Sequence, residues 1–108
     1  MRCFKFELYV PATHAALLRK AIGDAGAGRL GRYDHCVWET AGTGHFRPLP
    51  GSRPFLGDEG EIADVPEVKL EAICPESRLD AVIAAVRAAH PYETPAFQYW
   101  PVETAAER

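Results

Sequence analysis

Residues 3–28 read CFKFELYVPATHAALLRKAIGDAGAG, and this stretch indicates the fold. Its first eight residues alternate apolar and polar side chains, which is the period-two pattern of a strand with one buried face. After Pro11 the apolar residues recur with the period of a helix, which Thr13 caps and Gly26 ends. The stripe consists of Leu17, Leu18, Ala21, Ile22 and Ala25. The stretch therefore predicts a β-strand followed by an amphipathic helix.

A second strand–helix unit follows later in the chain. Residues 67–74, EVKLEAIC, alternate in the same way, and Pro75 ends the strand. Ser77 and Asp80 then resemble a capping box at the start of a helix. Its apolar stripe consists of Leu79, Val82, Ile83 and Val86. The two units resemble each other, since a strand–proline–helix junction occurs in both.

Two further strands complete the order of elements. YDHCVWET (33–40) and AFQYWPV (96–102) are rich in aromatic and β-branched residues. The order is therefore βαββαβ, and we expect residues 1–108 to form one α+β domain. It is a ferredoxin-like βαββαβ sandwich, a four-stranded antiparallel sheet with two helices on one face and with the first and third strands central. Residues 41–64 would form a long ordered β2–β3 excursion, and residues 103–108 a frayed tail.

Composition and charge narrow the class of protein. Twelve basic and fifteen acidic residues give a net charge of −3, and the basic residues form no cluster, so nucleic-acid binding is not expected. No apolar run reaches the roughly 20 residues that span a membrane. Three widely spaced cysteines, Cys3, Cys36 and Cys74, indicate reduced thiols. We expect a soluble cytoplasmic protein with no nucleic-acid or membrane partner.

The sheet face opposite the helices bears on assembly. Lys5 and Glu7 of the first strand would lie near Lys69 and Glu71 of the third, where opposite charges pair across strands. Such a face is either solvated or covered by another subunit, which would also protect the edge strands. A homo-oligomer, most simply a trimer with its sheets turned inward, fits the second alternative.

The HPYETP motif, residues 90–95, is the most specific candidate for a metal-binding or ligand-binding site. Its two prolines restrict the backbone and hold His90 and Glu93 with little freedom. Imidazole and carboxylate together could bind a divalent metal ion, although two ligands make an incomplete site. The structural alternative is that Tyr92 packs, Glu93 bonds backbone amides and the motif forms the helix-to-strand turn. His35-Cys36 is expected to pack, and His14 to lie on the solvated surface.

The excursion contains regularly spaced apolar residues and two arginines. Its apolar side chains predict an ordered, packed loop that contacts a neighbouring subunit. Arg47 and Arg53 either bind an anion or form salt bridges with acidic residues of this loop across a subunit boundary. Those acidic residues are Asp58, Glu59 and Glu61, and the apolar ones are Phe46, Leu49, Phe55, Leu56 and Ile62.

The segment 31–62 carries a family resemblance. With HPYETPAFQYWPV, it resembles the domain inserted in YqfO proteins, the Nif-three-like family, and His90–Pro95 is similar to the CutA family. The matching features are Gly31, Tyr33, His35-Cys36, a Gly42-Thr43-Gly44 turn, Phe46-Arg47-Pro48, Gly51, Pro54-Phe55, Gly57 and Gly60. The resemblance implies the ferredoxin-like fold that CutA shares with PII signalling proteins, and a trimer. In PII-like regulators the corresponding β2–β3 loop binds a ligand.

One departure from that family limits what is carried over. The halves that hold a dinuclear metal site in full-length YqfO-type proteins do not occur in these residues, so we expect the inserted domain standing alone. Hydrolase-like chemistry, including a nominal GTP cyclohydrolase activity, is therefore not transferred. No serine or cysteine lies in a nucleophile motif, and no catalytic residue is assigned.

These observations predict a non-enzymatic, oligomeric PII/CutA-like module that binds a small molecule, a metal ion or a protein partner in a regulatory role. No cofactor is assigned with certainty, and a divalent metal ion at His90 and Glu93 is the one candidate. Two alternatives stay open: a metal-assisted hydrolase with Glu93 as base and His90 as ligand, and a structural assembly domain that partners a separate metal-binding subunit. The candidate ligand-binding residues are Phe46, Arg47, Arg53, His90, Tyr92 and Glu93.

Overall fold

The computed structural model describes residues 2–105 and consists of a four-stranded antiparallel sheet with two helices on one face. The sheet order is β2-β3-β1-β4, so β1 and β3 are the central, antiparallel neighbours. This confirms the ferredoxin-like βαββαβ arrangement. The elements are β1 (Cys3–Pro11), α1 (Ala15–Ala25), β2 (Trp38–Phe46), β3 (Ala63–Pro75), α2 (Leu79–Ala89) and β4 (Phe97–Val102). Neither helix is long and apolar enough to cross a membrane, within the residues described.

The core lies between the sheet and the helices. Phe6, Leu8 and Val10 of β1 are fully buried, as their period-two spacing predicts. Leu8 pairs with Leu70 of β3, which is also fully buried. Leu17 is an exception to the predicted stripe, since it is 53% exposed. The fully buried helix residues are Leu18 and Ile22 of α1 with Val82 and Val86 of α2.

Both helices begin later than their capping signals suggest. Each strand leads through a proline into a 3₁₀ turn, Ala12–His14 or Glu76–Arg78, and the α-helix starts only after that turn. The predicted caps Thr13 and Ser77 therefore lie inside the turns, and neither helix has a side-chain N-cap hydrogen bond. The predicted end of α1 is confirmed, because Gly26 adopts the left-handed conformation with φ of 118°.

The second strand lies further along the chain than residues 33–40. It runs over Trp38–Phe46, because His35 has a φ of 56°, which no regular strand accommodates. Gly42, Thr43 and Gly44 were predicted to form a turn, but they pair with β3 inside this edge strand. Because β3 begins at Ala63, the irregular connection between the two strands covers residues 47–62, shorter than the predicted 41–64. Of the predicted tail, residues 106–108 lie outside the described residues.

His35 joins the segment before β2 to helix α1. A Cβ on Gly23 would lie 2.1 Å from the His35 ring, so the glycine makes room for the imidazole. Nε2 lies 2.8 Å from Asp24 Oδ1 and Nδ1 lies 3.0 Å from Asp34 Oδ1. The two carboxylates, Asp34 first, raise the pKa of His35. An acceptor at each nitrogen favours the protonated imidazolium over the neutral ring.

The open face of the sheet carries the predicted charges. Lys5 and Lys69 each lie 3.7 Å from a carboxylate oxygen of Glu71. Glu7 lies directly opposite Glu71 and accepts a hydrogen bond from Gln98. The two lysines thus offset the juxtaposition of two carboxylates. Two large aromatic residues are exposed, Trp38 at 71% and Trp100 at 42%.

Candidate functional site: a cavity between the β2–β3 connection and the HPYETP turn

A cavity of about 390 Å³ lies where the connection 47–62 meets the turn that follows α2. Tyr9 of β1 and Glu67 of β3 line its sheet side. Both alternate with buried core residues along their strands, so this wall belongs to the open face of the sheet. The remaining polar lining residues are His45, Arg47, Ser52, Tyr92, Glu93 and Thr94, and the apolar ones are Phe46, Pro48, Leu49, Pro54, Phe55, Leu56 and Ala96.

His90 lies outside the cavity lining and ties the turn to β1. Its side chain is 8% exposed, and Nε2 donates a hydrogen bond to the Tyr9 carbonyl oxygen at 2.7 Å. Nδ1 accepts a bond from the Tyr92 backbone N–H at 3.1 Å. Because one nitrogen donates and the other accepts, the ring is neutral with its proton on Nε2. Burial lowers the pKa of His90, which is consistent with this state.

Tyr92 forms the aromatic wall of the cavity. Its ring centroid lies 5.9 Å from that of Phe46 and 6.4 Å from that of Phe55. The hydroxyl donates to Glu67 Oε2 at 2.7 Å. Burial, together with the bond to the carboxylate, raises the pKa of Tyr92, so the phenol stays protonated. The Glu67 carboxylate lies over Gly44, where an added Cβ would come within 2.0 Å of Oε1.

Glu93 links the turn to the connection. Its Oε2 accepts a hydrogen bond from the Arg53 backbone N–H at 2.8 Å, across forty positions of sequence. A carboxylate bonded to a backbone amide is what the structural alternative for the HPYETP motif predicted. Arg47 lines the cavity, whereas the Arg53 side chain does not. Neither guanidinium forms an ion pair within residues 2–105 of one chain, and the bridges to Asp58, Glu59 and Glu61 across a subunit boundary stay a prediction.

The connection is ordered by bonds of its own. Ser52 donates through both its backbone N–H and its hydroxyl to the Leu49 carbonyl, and Gly60 donates to the Pro48 carbonyl at 2.8 Å. Phe55 packs edge-on against His14 of the first 3₁₀ turn, with ring centroids 5.3 Å apart. His14 is consequently half-buried rather than fully solvated. These contacts are those expected of an ordered connector, which stays a prediction.

Both the sequence and the fold of the chain are similar to those of known proteins. Residues 55–108 match the family described as CutA1 divalent ion tolerance protein. The chain belongs to the CutA1 family. It is also similar to the "GTP cyclohydrolase 1 type 2 homolog" of Bacillus subtilis strain 168, with 46% identity over 105 residues, which cover 96% of this chain and 28% of that protein. The chain thus spans little more than a quarter of that relative and corresponds to the small CutA-like part of NIF3/YqfO proteins.

Solved structures agree with both likenesses. The Bacillus cereus protein related to NIF3 superposes with a TM-score of 0.82 at 42% identity, covering 98% of this chain and 27% of that one. CutA from Synechococcus elongatus PCC7942 superposes with a TM-score of 0.69 at 20% identity, covering 97% of this chain and 80% of that one. The second likeness shows the fold alone, and the first confirms the predicted relation to the YqfO type.

The CutA1 family description refers to divalent ions. A protein site for such an ion needs several donor side chains that converge on one point. Three or more His, Cys, Asp or Glu side chains nowhere converge in the described part of the chain. Both ring nitrogens of His90 are hydrogen-bonded, and Glu93 is bonded through one oxygen. A metal bond from His90 would break one of its two contacts. The arrangement within one chain therefore does not fit a metal centre at His90 and Glu93.

Tyr9 and Glu67 line the cavity, and neither was predicted as a site residue. The β1–β3 and β2–β3 registers bring them to the same end of the sheet, with Glu67 paired to both Pro11 and Gly42. A glycine-rich segment in the edge strand was the available signal, since Gly44 leaves the space that the Glu67 carboxylate occupies.

Proposed function

We propose that the chain is a non-enzymatic, oligomeric PII/CutA-like module that holds a small organic molecule in this cavity and has a regulatory role. The observation that carries the proposal is the wall shared by the connection and the turn, which the Glu93–Arg53 hydrogen bond joins. A molecule that enters would contact both segments. Its binding would therefore change the order of the connection, which is the part of the chain best placed to signal to a partner.

The size and lining of the cavity support this proposal. Ligand sites are commonly about 300–1,000 Å³, mainly apolar, with a few polar groups that orient the ligand. Here Phe46, Phe55 and Leu56 supply apolar surface, while Arg47 and Glu93 supply charge. The cavity of about 390 Å³ falls in that range.

Hydrolysis assisted by a metal ion has no comparable support. Its proposed ligand, His90, is buried and bonded on both sides, and its proposed base, Glu93, holds the Arg53 amide. His90 would have to leave one of its two hydrogen bonds before it could bind a metal ion, and Glu93 would have to act while one of its oxygens holds the Arg53 amide. A binding function uses them as they are.

The exposed groups on the open face of the sheet and along its edges support an oligomer. Trp38 and Trp100 expose large apolar surface there, and β2 and β4 are edge strands with unpaired backbone groups. Burial between three copies would cover both features. Size-exclusion chromatography with light scattering tests this: we expect a trimer that Trp100→Lys dissociates, while Leu17→Lys on the exposed side of α1 leaves it intact. A monomeric wild-type protein at micromolar concentration would contradict the proposal.

A fragment screen tests the cavity. In ¹⁵N-labelled protein, we expect small aromatic compounds to shift the backbone amides of Arg53, Tyr92 and Glu93 and to leave the amides of α1 unchanged. Phe46→Ala should weaken these shifts, and Ile62→Ala, which lies outside the cavity lining, should not. If no fragment shifts the three amides at millimolar concentration, a purely structural assembly domain becomes the better interpretation.

A further inference from the structure

We infer that the molecule held in this cavity is a small organic cation with an apolar or aromatic body. The inference rests on the proposed binding function and adds the charge and the shape of the ligand. It follows from three features of the lining: two carboxylates without a cationic partner within the described residues, a cluster of the Phe46, Phe55 and Tyr92 rings, and a single guanidinium at the exposed margin.

The carboxylates of Glu67 and Glu93 are oriented but not neutralised. Tyr92 donates to Oε2 of Glu67, and the Arg53 backbone N–H donates to Oε2 of Glu93. Within residues 2–105 neither carboxylate forms an ion pair, and Oε1 of each accepts no hydrogen bond. Two fixed negative charges therefore border an apolar cavity. The attraction of the half-buried Glu67 carboxylate for a cation is less screened than in bulk water, whereas Glu93 is exposed.

The aromatic residues add a second attraction for a cation. The ring centroids of Phe46 and Phe55 lie 5.9 and 6.4 Å from that of Tyr92. The faces of such rings carry negative electrostatic potential and attract ammonium groups within about 6 Å. A ligand with an ammonium group and an apolar body would thus be attracted by the carboxylates and by the rings together.

Arg47 is the one lysine or arginine side chain in the lining, and the ring of His45 is bonded to Asp64 at 2.7 Å. Arg47 is exposed, whereas Glu67 is half-buried beside Tyr92. An anion attracted by Arg47 would have to approach two carboxylates to reach the apolar walls. The balance of charge around the cavity therefore favours a cation.

Matched probes test the sign of the charge. Benzyltrimethylammonium, phenylacetate and benzyl alcohol have aromatic bodies of similar size and carry positive, negative and no charge. Each is titrated into the ¹⁵N-labelled full chain, and the amides of Arg53 and Tyr92 are followed. We expect benzyltrimethylammonium to bind at least about fivefold more tightly than phenylacetate, a difference of about 1 kcal/mol.

Isosteric variants identify the groups responsible. Glu93→Gln keeps an oxygen for the Arg53 amide and removes the charge, so we expect benzyltrimethylammonium to bind about fivefold more weakly. Glu67→Gln should also weaken the binding of benzyltrimethylammonium. Because Glu93 is exposed, we expect Glu93→Gln to fold even if Glu67→Gln does not. The control is Glu59→Gln in the same connection, outside the lining, which should leave the affinity unchanged.

The outcomes separate the inference from the function on which it rests. If phenylacetate binds as tightly as benzyltrimethylammonium, or if Glu93→Gln binds the cation as well as the wild type does, the cation inference is overturned while the cavity function stands. If none of the three probes and no fragment shifts the Arg53 and Tyr92 amides, the cavity function itself fails. Charge-dependent binding that Glu93→Gln weakens and Glu59→Gln does not supports the inference.

Discussion

Phe55→Ala tests whether the connection is held by its own chain or by a neighbouring subunit. Phe55 packs against His14 and Tyr92, with ring centroids 5.3 and 6.4 Å away, yet 47% of its surface is exposed. It therefore joins the first 3₁₀ turn, the connection and the HPYETP turn. Truncation would remove both ring contacts and one wall of the cavity.

The magnitude follows from the exposed fraction. Complete burial of a phenylalanine side chain contributes about 1.5–3 kcal/mol, and about half of the Phe55 side chain is buried within the chain. The direct burial is thus worth about 0.8–1.5 kcal/mol, and the ring contacts with His14 and Tyr92 add about 0.5–1 kcal/mol together. We expect the free energy of unfolding of a monomer to fall by about 2 kcal/mol.

Urea denaturation at several protein concentrations measures this loss. Phe6→Ala, in the fully buried core, should cost about 3–5 kcal/mol, and Ile62→Ala, at a position 72% exposed, should cost little. A loss for Phe55→Ala that matches Phe6→Ala and is accompanied by dissociation would show that a neighbouring subunit buries the exposed half. A loss below about 0.5 kcal/mol would refute the contacts described here.

Further predictions concern two histidines and two glycines. The pKa of His35 is raised, chiefly by Asp34. The stability that His35 contributes is therefore complete below pH 6.5 and is lost as the pH rises through its folded-state pKa. An NMR ring titration with a midpoint at or below 6.5 would contradict this. For His90 the pH dependence of stability runs the other way, because burial lowers the pKa of its ring. Stability should fall as the pH drops from 6.5 towards the folded-state pKa of His90, and the ring should titrate below 6.5. Gly28→Ala should destabilise the protein by about 1–3 kcal/mol more than Gly31→Ala. Both glycines have positive φ, but only at Gly28 would the new Cβ meet a backbone atom, at 2.5 Å; equal losses in thermal denaturation would argue against that contact.

The fold was predictable where hydrophobic periodicity was strong. The alternation in β1 and β3 and the stripe in α2 identified the buried faces, since burial of apolar side chains is what selects them. The capping prediction failed at Thr13 and Ser77, because each strand passes through a proline into a 3₁₀ turn that displaces the helix start. The β2 prediction failed because the local preference of residues 33–37 for a strand yielded to the left-handed backbone at His35.

The candidate site was predictable in part. Phe46, Arg47, Tyr92 and Glu93 were expected to bind a ligand, and all four line one cavity. The metal prediction for His90 rested on residue type, and the hydrogen bonds to both ring nitrogens are tertiary contacts that residue type does not reveal. The binding roles themselves stay predictions.

By itself, the sequence determined the order of strands and helices, the buried faces and the relation to CutA-like domains, because these depend on local periodicity and on short motifs. Only the tertiary structure decided which side chains share the cavity. Glu67 meets Tyr92 over Gly44 because of strand register, and Glu93 reaches the Arg53 amide because the connection folds back onto the turn. Such contacts join residues far apart in the chain, and their partners are set by the packing of the whole sheet rather than by any local pattern.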